Sequence, residues 1–281
     1  MKMYLREFKD LLIENSIEIL WDQWTKLGVW ISNDMSFASN SDPECTLAFS
    51  EYFSKYEGRL SKISKTWREN KDYINTARLK RIEKNLAFQS QSININIKVA
   101  EKKDDYNKII TGPDLEKPEN ILLKLRMLFG PSTKAEIVYY LFFNEETNSN
   151  ELAKRRYLNQ KAVYTELDKL NKGGILIQRK TARERVYRLK NDFRSLFKTK
   201  KEKLSSFWIL LFSVFILKIT EKYGDFDEYI FFSKIMDEKQ KILMMLNNSG
   251  KYEIDDMEKT AEAFFIFITN YYKNLIKSSV V

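Results

Sequence analysis

The chain has 281 residues, 43% of them hydrophobic and 31% charged, with a formal net charge of +9, one cysteine and no histidine. That length suffices for two or three compact domains, and the composition is that of an ordinary folded protein. A single cysteine permits no intramolecular disulfide, which fits a reducing, cytoplasmic setting, and the lack of histidine excludes imidazole acid–base chemistry, Ser-His and Cys-His nucleophiles and the usual catalytic zinc sites.

Eight glycines and four prolines are few for this length, and the abundance of Leu, Lys, Glu and Ile predicts a mainly α fold. In chain order, residues 3–24 read as an amphipathic helix through Leu5, Phe8, Leu12, Ile13, Ile17, Leu20, Trp21 and Trp24, with Gly28 at its end. Residues 33–43 form a polar loop. Asp42 and Pro43 then fit the N-cap and first position of a second helix carrying Leu47, Phe49, Tyr52 and Phe53. Helical segments near 58–70 and 74–88 complete an N-terminal helical domain, 1–88. Residues 89–117 read as a linker. Ile93, Ile95, Ile97 and Val99 alternate there as in a short half-buried strand, and a polar, turn-rich stretch follows.

From 118 to 192 the pattern becomes specific. Pro118–Phe129 reads as a helix with Ile121, Leu122, Leu125 and Leu128 inward, stopped by Gly130-Pro131. Thr133 and Glu136, spaced T-x-x-E, predict a capping box for a helix that buries Ile137, Val138, Leu141 and Phe142. Asn148 or Ser149 caps a short helix carrying Leu152 and Ala153, and Tyr157–Asn159 supplies a tight turn. Gln160–Lys172 follows as a helix with Ala162, Val163, Leu167 and Leu170 inward. Gly173-Gly174 ends it, since glycine accepts the left-handed conformation of a helix C-cap. A strand begins at Ile175-Leu176-Ile177, turns over Thr181–Glu184 and returns over Arg185–Leu189. Helices followed by a small β wing predict a winged helix-turn-helix, flanked by helical regions on both sides.

The C-terminal helical domain, 193–281, returns to helix over 204–277 in two or three segments, broken at Tyr223–Asp225 and Asn247–Gly250. Its apolar run Phe207–Leu217 is only eleven residues, against the roughly 20 a spanning helix needs, so it reads as a buried helix. The N-terminus carries charges every few residues and reads as lacking a signal core. No membrane partner is expected.

Charge is unevenly placed. Residues 118–203 hold 20 basic and 10 acidic side chains, whereas 1–117 hold 19 and 18 and 204–281 hold 9 and 11. The whole excess falls on the helix-turn-helix pattern together with the KTKKEK run that follows it, as expected of a phosphate-backbone binder. The helix 160–172 is expected in the major groove of double-stranded DNA, presenting Gln160, Lys161, Tyr164, Thr165 and Asp168. Gln suits adenine, Lys suits guanine, and Tyr or Thr suits phosphate or a thymine methyl. Arg179, Lys180, Arg183 and Arg185 of the wing suit flanking phosphates or a narrow minor groove. Lys154, Arg155 and Arg156 suit the backbone at the groove's edge.

Residues 126–189, with LNQKAVYTELDKL and the ending GILIQR…RVYRL, resemble MarR/ArsR-type winged-helix regulators. The flanking pattern of Trp21, Gln23, Trp24, Leu27, Gly28 and Val29, then Asp42-Pro43-Glu44, Arg59-Leu60, Trp67 and Arg78-Leu79, resembles a group of bacterial proteins in which helical regions surround a central winged helix. The resemblance implies a sequence-specific DNA-binding transcriptional regulator, and brings no operator or effector. The long arms depart from ordinary members, and the metal-sensing Cys/His sites of some ArsR proteins are missing.

Two other readings compete. A winged helix also serves as a protein-interaction adaptor or meets RNA, and the aromatic-rich arms could hold an effector, a protein partner or a homodimer interface. A nucleic-acid-modifying enzyme would need acidic clusters to hold a metal: Asp225, Asp227 and Glu228, or Asp255, Asp256 and Glu258. These read as solvated loops, no nucleotide-binding glycine motif is present, and Cys45 beside a helix start reads as an inert thiol. The expectation is a non-enzyme without cofactors or metal.

Overall fold

Thirteen α-helices and one two-stranded antiparallel sheet occur among residues 2–32, 35–88, 106–180, 184–197, 204–224, 228–250 and 260–281, which the computed structural model describes. Helix α1 (Lys2–Lys26) buries Phe8, Leu12, Ile19, Leu20 and Trp24. It ends at Gly28, where φ is +82° and a Cβ would lie 2.0 Å from the carbonyl oxygen of Gly112, so both conformation and space demand glycine. Residues 37–42, read as a polar loop, are buried. Several of their polar groups bond to α1: Gln23 Nε2 donates to Ser39 Oγ at 3.0 Å and Lys26 Nζ to the Phe37 carbonyl at 2.8 Å. Helix α2 (Pro43–Phe53) starts as expected, with Asp42 accepting from the Cys45 N–H at 3.2 Å. Helices α3 (Arg59–Trp67) and α4 (Thr76–Phe88) follow. Trp67 packs edge-on against Trp24 with ring centroids 6.0 Å apart. The strand expected around Ile93–Val99 lies outside the described residues.

In the central region, a 3-10 turn at Pro118–Asn120 leads into α5 (Ile121–Phe129). This helix serves two cores: Leu123 joins the core of the flanking helices, while Ile121, Leu122 and Leu125 enter a second, central core. Leu128, expected inward, is exposed. Helix α6 (Thr133–Phe143) follows without the expected capping box. Its N-cap is Ser132, and Glu136 is buried and held by arginines instead of reaching back to the helix start. Helices α7 (Ser149–Arg156) and α8 (Gln160–Lys172) are capped by Asn148 and Asn159, whose Oδ1 atoms accept from Glu151 N–H at 2.8 Å and Ala162 N–H at 3.0 Å. Gly174, at φ +74°, turns the chain out of α8.

Strands β1 (Leu176–Lys180) and β2 (Arg185–Leu189) pair in register from Leu176↔Leu189 to Lys180↔Arg185. Thr147, between α6 and α7, exchanges backbone hydrogen bonds of 3.0 and 2.8 Å with Tyr187 on the free edge of β2. Short helix α9 (Asn191–Ser195) closes the central core by setting Phe193 beside Phe129 and, just after it, Phe197 beside Phe142.

Helices α10 (Ser206–Tyr223), α11 (Glu228–Asp237), α12 (Lys239–Ser249) and α13 (Ala261–Ser279) complete the chain. There are four described helices beyond 204 where two or three were expected; the extra break at Glu238 lies in a sequence with no Gly or Pro to mark it. Helix α10 is buried on nearly every side. Among the described residues no helix is long and apolar enough to cross a membrane. The N- and C-terminal flanks share one core: Phe8 meets Phe265 at 5.5 Å and Tyr272 at 6.0 Å, and Ala38 N–H donates to the Ser279 carbonyl at 2.8 Å. With each buried large apolar side chain contributing roughly 1.5–3 kcal/mol, this shared core joins the flanks firmly.

Candidate nucleic-acid interface

Burial of Val163, Leu167 and Leu170 fixes the rotation of α8. At 100° per residue this leaves Gln160, Lys161, Tyr164 and Thr165 on the outer side, and all four are exposed. The Thr165 hydroxyl donates back to the Lys161 carbonyl at 3.0 Å. Farther along, Asp168 pairs with Lys172 at 2.7 Å and Glu166 with Lys169 at 2.7 Å. The side chains of α8 left for a ligand therefore lie at its start, Gln160 and Lys161 first among them.

The β1–β2 hairpin stands beside this face. Arg185 Nη1 donates to the Tyr164 hydroxyl at 3.1 Å, and its guanidinium lies 5.9 Å from the tyrosine ring. Alternation along the strands puts Lys180 and Arg185 on one face, and Arg179 and Arg188 on the other. Arg179 meets Glu146 at 3.2 Å in an exposed pair, of the kind worth about 0–1 kcal/mol and easily exchanged for another anion. Arg183 lies outside the described residues. Lys154 and Arg155 are exposed at the C-terminal end of α7. None of Lys154, Arg155, Lys161, Lys180 and Arg188 forms an ion pair with a described carboxylate. Arg188 was not singled out from the sequence; its place in an alternating strand, opposite Ile177, is the signal that marks it.

Arg156 must be removed from the groove-edge set. Successive helical residues diverge by 100°, and α7 turns Arg156 inward. It binds Glu136 at 2.6 and 3.0 Å, approaches Asp42 at 3.5 Å and lies 4.7 Å over the Tyr139 ring. There it joins a buried network of three acids and three arginines that the sequence reading missed. Arg78 binds Asp42 at 2.6 and 2.7 Å and Glu44 at 2.6 Å. Arg126 binds Glu44 at 2.8 and 2.7 Å, and also meets Glu136 and the Tyr73 carbonyl. Side-chain exposure of Arg78, Arg126, Glu44 and Glu136 is 0–1%.

Burial alone would raise the carboxyl of Glu136, but the charges of Arg156, Arg78 and Arg126 outweigh it and hold it down to about 2. Asp42 is likewise held well below the usual carboxylate range, burial being outweighed first by Arg78. The spacing carried a signal for two members. Arg126 stands four residues after Leu122, and Arg78 four before Ile82, which places each on an apolar stripe.

Cys45 is fully buried, and burial followed by the charge of Asp42 pushes its thiol well above its ordinary value, so it holds no thiolate. Asp225, Asp227, Asp255, Asp256 and Glu258 lie outside the described residues, as does the side chain of Glu228. Among the described residues no group of three or more Cys, Asp or Glu side chains is arranged to hold a metal ion. No protein-family model, no curated protein and no solved structure matches the chain.

Proposed function

We propose that the chain is a sequence-specific double-stranded DNA-binding regulator in which residues 118–192 act as a winged helix-turn-helix, α8 entering the major groove and the basic wing meeting flanking phosphates or the minor groove. One observation carries this reading: the exposed polar start of α8 stands beside the β1–β2 hairpin, where Arg185 reaches the Tyr164 hydroxyl, and the exposed cations Arg185, Lys180, Lys154 and Arg155 have no carboxylate partner among the described residues. Phosphates would supply the missing anions. The bridge from Thr147 to β2 supports the same reading, because it extends the small sheet to the segment before α7. So does the resemblance of residues 126–189 to MarR/ArsR-type regulators. Readers of this kind commonly dimerise on two half-sites, and a homodimer belongs to the proposal; a monomeric mass by light scattering at micromolar concentration removes it.

The two groups of residues have different tasks. Arg155→Ala together with Arg185→Ala weakens binding on every duplex alike. Gln160→Ala or Lys161→Ala relaxes sequence preference, by about 1–3 kcal/mol per lost bidentate base contact. Selection of bound fragments from a random duplex pool, repeated with each variant, separates these outcomes. An unchanged selected sequence in both the Gln160 and Lys161 variants contradicts the assignment of α8 to the groove.

A further inference from the structure

A bulky residue in the left-handed backbone region is strained, and such strain persists only where surrounding structure enforces it. Among the described non-glycine residues Tyr157 alone has positive φ, at φ 54° and ψ 46°. It is the C-cap of α7: its N–H and that of Leu158 both donate to the Ala153 carbonyl, the latter at 2.9 Å. Three residues later α8 begins. Glycine or asparagine fills this kind of turn with less strain.

The tyrosine side chain belongs to a different part of the molecule. It packs against the core of the flanking helices, and its ring lies 4.8 Å from Phe207 and 6.4 Å from Trp208 on α10. Its hydroxyl accepts a 2.9 Å hydrogen bond from Asn85 Nδ2 on α4. Burial pushes the phenol up to about 12, so it stays neutral. One residue earlier, the Arg156 carbonyl accepts from Arg78 Nε at 3.0 Å. The turn that aims α8 is thus gripped by α4 and α10, helices from both flanks.

We infer that Tyr157 is a positioning residue: it anchors the α7–α8 turn to the shared core of the flanks, so that the pose of α8, and with it the affinity for DNA, follows the state of those flanks. The consequence for DNA rests on the function proposed above; the anchoring itself does not.

The test uses the full chain and three variants. Tyr157→Gly removes the ring and relieves the backbone, Tyr157→Phe keeps the ring without its hydroxyl, and Asn85→Ala removes the donor from the other side. Amide hydrogen exchange is expected to speed up about tenfold over residues 160–172 in Tyr157→Gly, less in the other two, and not at all over α13. Affinity for a fluorescein-labelled duplex of mixed sequence is expected to fall about tenfold in Tyr157→Gly with an unchanged salt slope, because no phosphate contact is lost. Unchanged exchange of α8 in Tyr157→Gly, or faster exchange spread evenly over the chain, overturns the inference. If the unmodified protein binds no duplex, the DNA reading falls, and the exchange pattern still decides whether Tyr157 anchors α8.

Discussion

Arg155 and Arg156 are neighbours in sequence, and α7 turns one to solvent and the other into a buried ion network. Their substitutions should therefore differ in kind. Arg155→Ala should change stability by less than about 0.5 kcal/mol while weakening duplex binding. Breaking the network should destabilise strongly, because a carboxylate is left buried without its partner: Arg78→Met is expected to cost about 3–5 kcal/mol in urea denaturation. The network also sets an acid limit. Glu136 titrates near about 2 in the fold and near ~4.3 unfolded, so its stabilising contribution is complete at neutral pH and is lost as pH falls from about 4 towards 2. With no histidine in the chain, no imidazole titrates between about pH 5.5 and 7.5, and the Lys218 amine, lowered by burial to about 8, loses its proton mainly above that window. Calorimetry should find a nearly constant melting temperature across that window and a decline below about pH 4. A marked change within the window contradicts this assignment of charge.

Among the elements, those governed by local chemistry were legible in the sequence and those governed by distant partners were not. Asn148, one of the two caps expected for α7, and Asn159, read as the end of a turn, cap α7 and α8 through side chains bonded within three residues, and the Gly173-Gly174 stop acts over a similar range. Thr133 and Glu136 had the spacing of a capping box, but Glu136 is claimed by Arg126 and Arg156, ten and twenty residues away. The segment 37–42 has the composition of a solvated loop and is buried because distant groups, Gln23 and Lys26 of α1, Glu119 and Ser279, bond its polar atoms. The face of α8 was legible because its apolar period is clean. The inward turn of Arg156 was not, because α7 carries too few apolar residues to fix its rotation by pattern. Gly28 lies where an element end meets a distant chain: Gly28→Ala should destabilise by more than about 2 kcal/mol, readable as a lowered urea midpoint, since both its φ and the Gly112 carbonyl oppose a side chain.

At the scale of the whole molecule, two near-neutral flanks close on one core and hold between them a central region that carries the basic excess. The ion network and α5 lie where the two cores meet, so the pose of the central helices is tied to the flanks. The exposed cations of the central region, Lys154, Arg155, Lys161, Lys180, Arg185 and Arg188, favour association with a polyanion. The most direct measurement is a fluorescence anisotropy titration of the full chain against a labelled mixed-sequence duplex over a series of salt concentrations. With roughly five to seven cations meeting phosphate, the logarithm of the affinity should fall linearly with the logarithm of salt, with a slope of about −4 to −6. No binding at low salt, or binding that salt does not weaken, contradicts the assignment of the basic face to DNA.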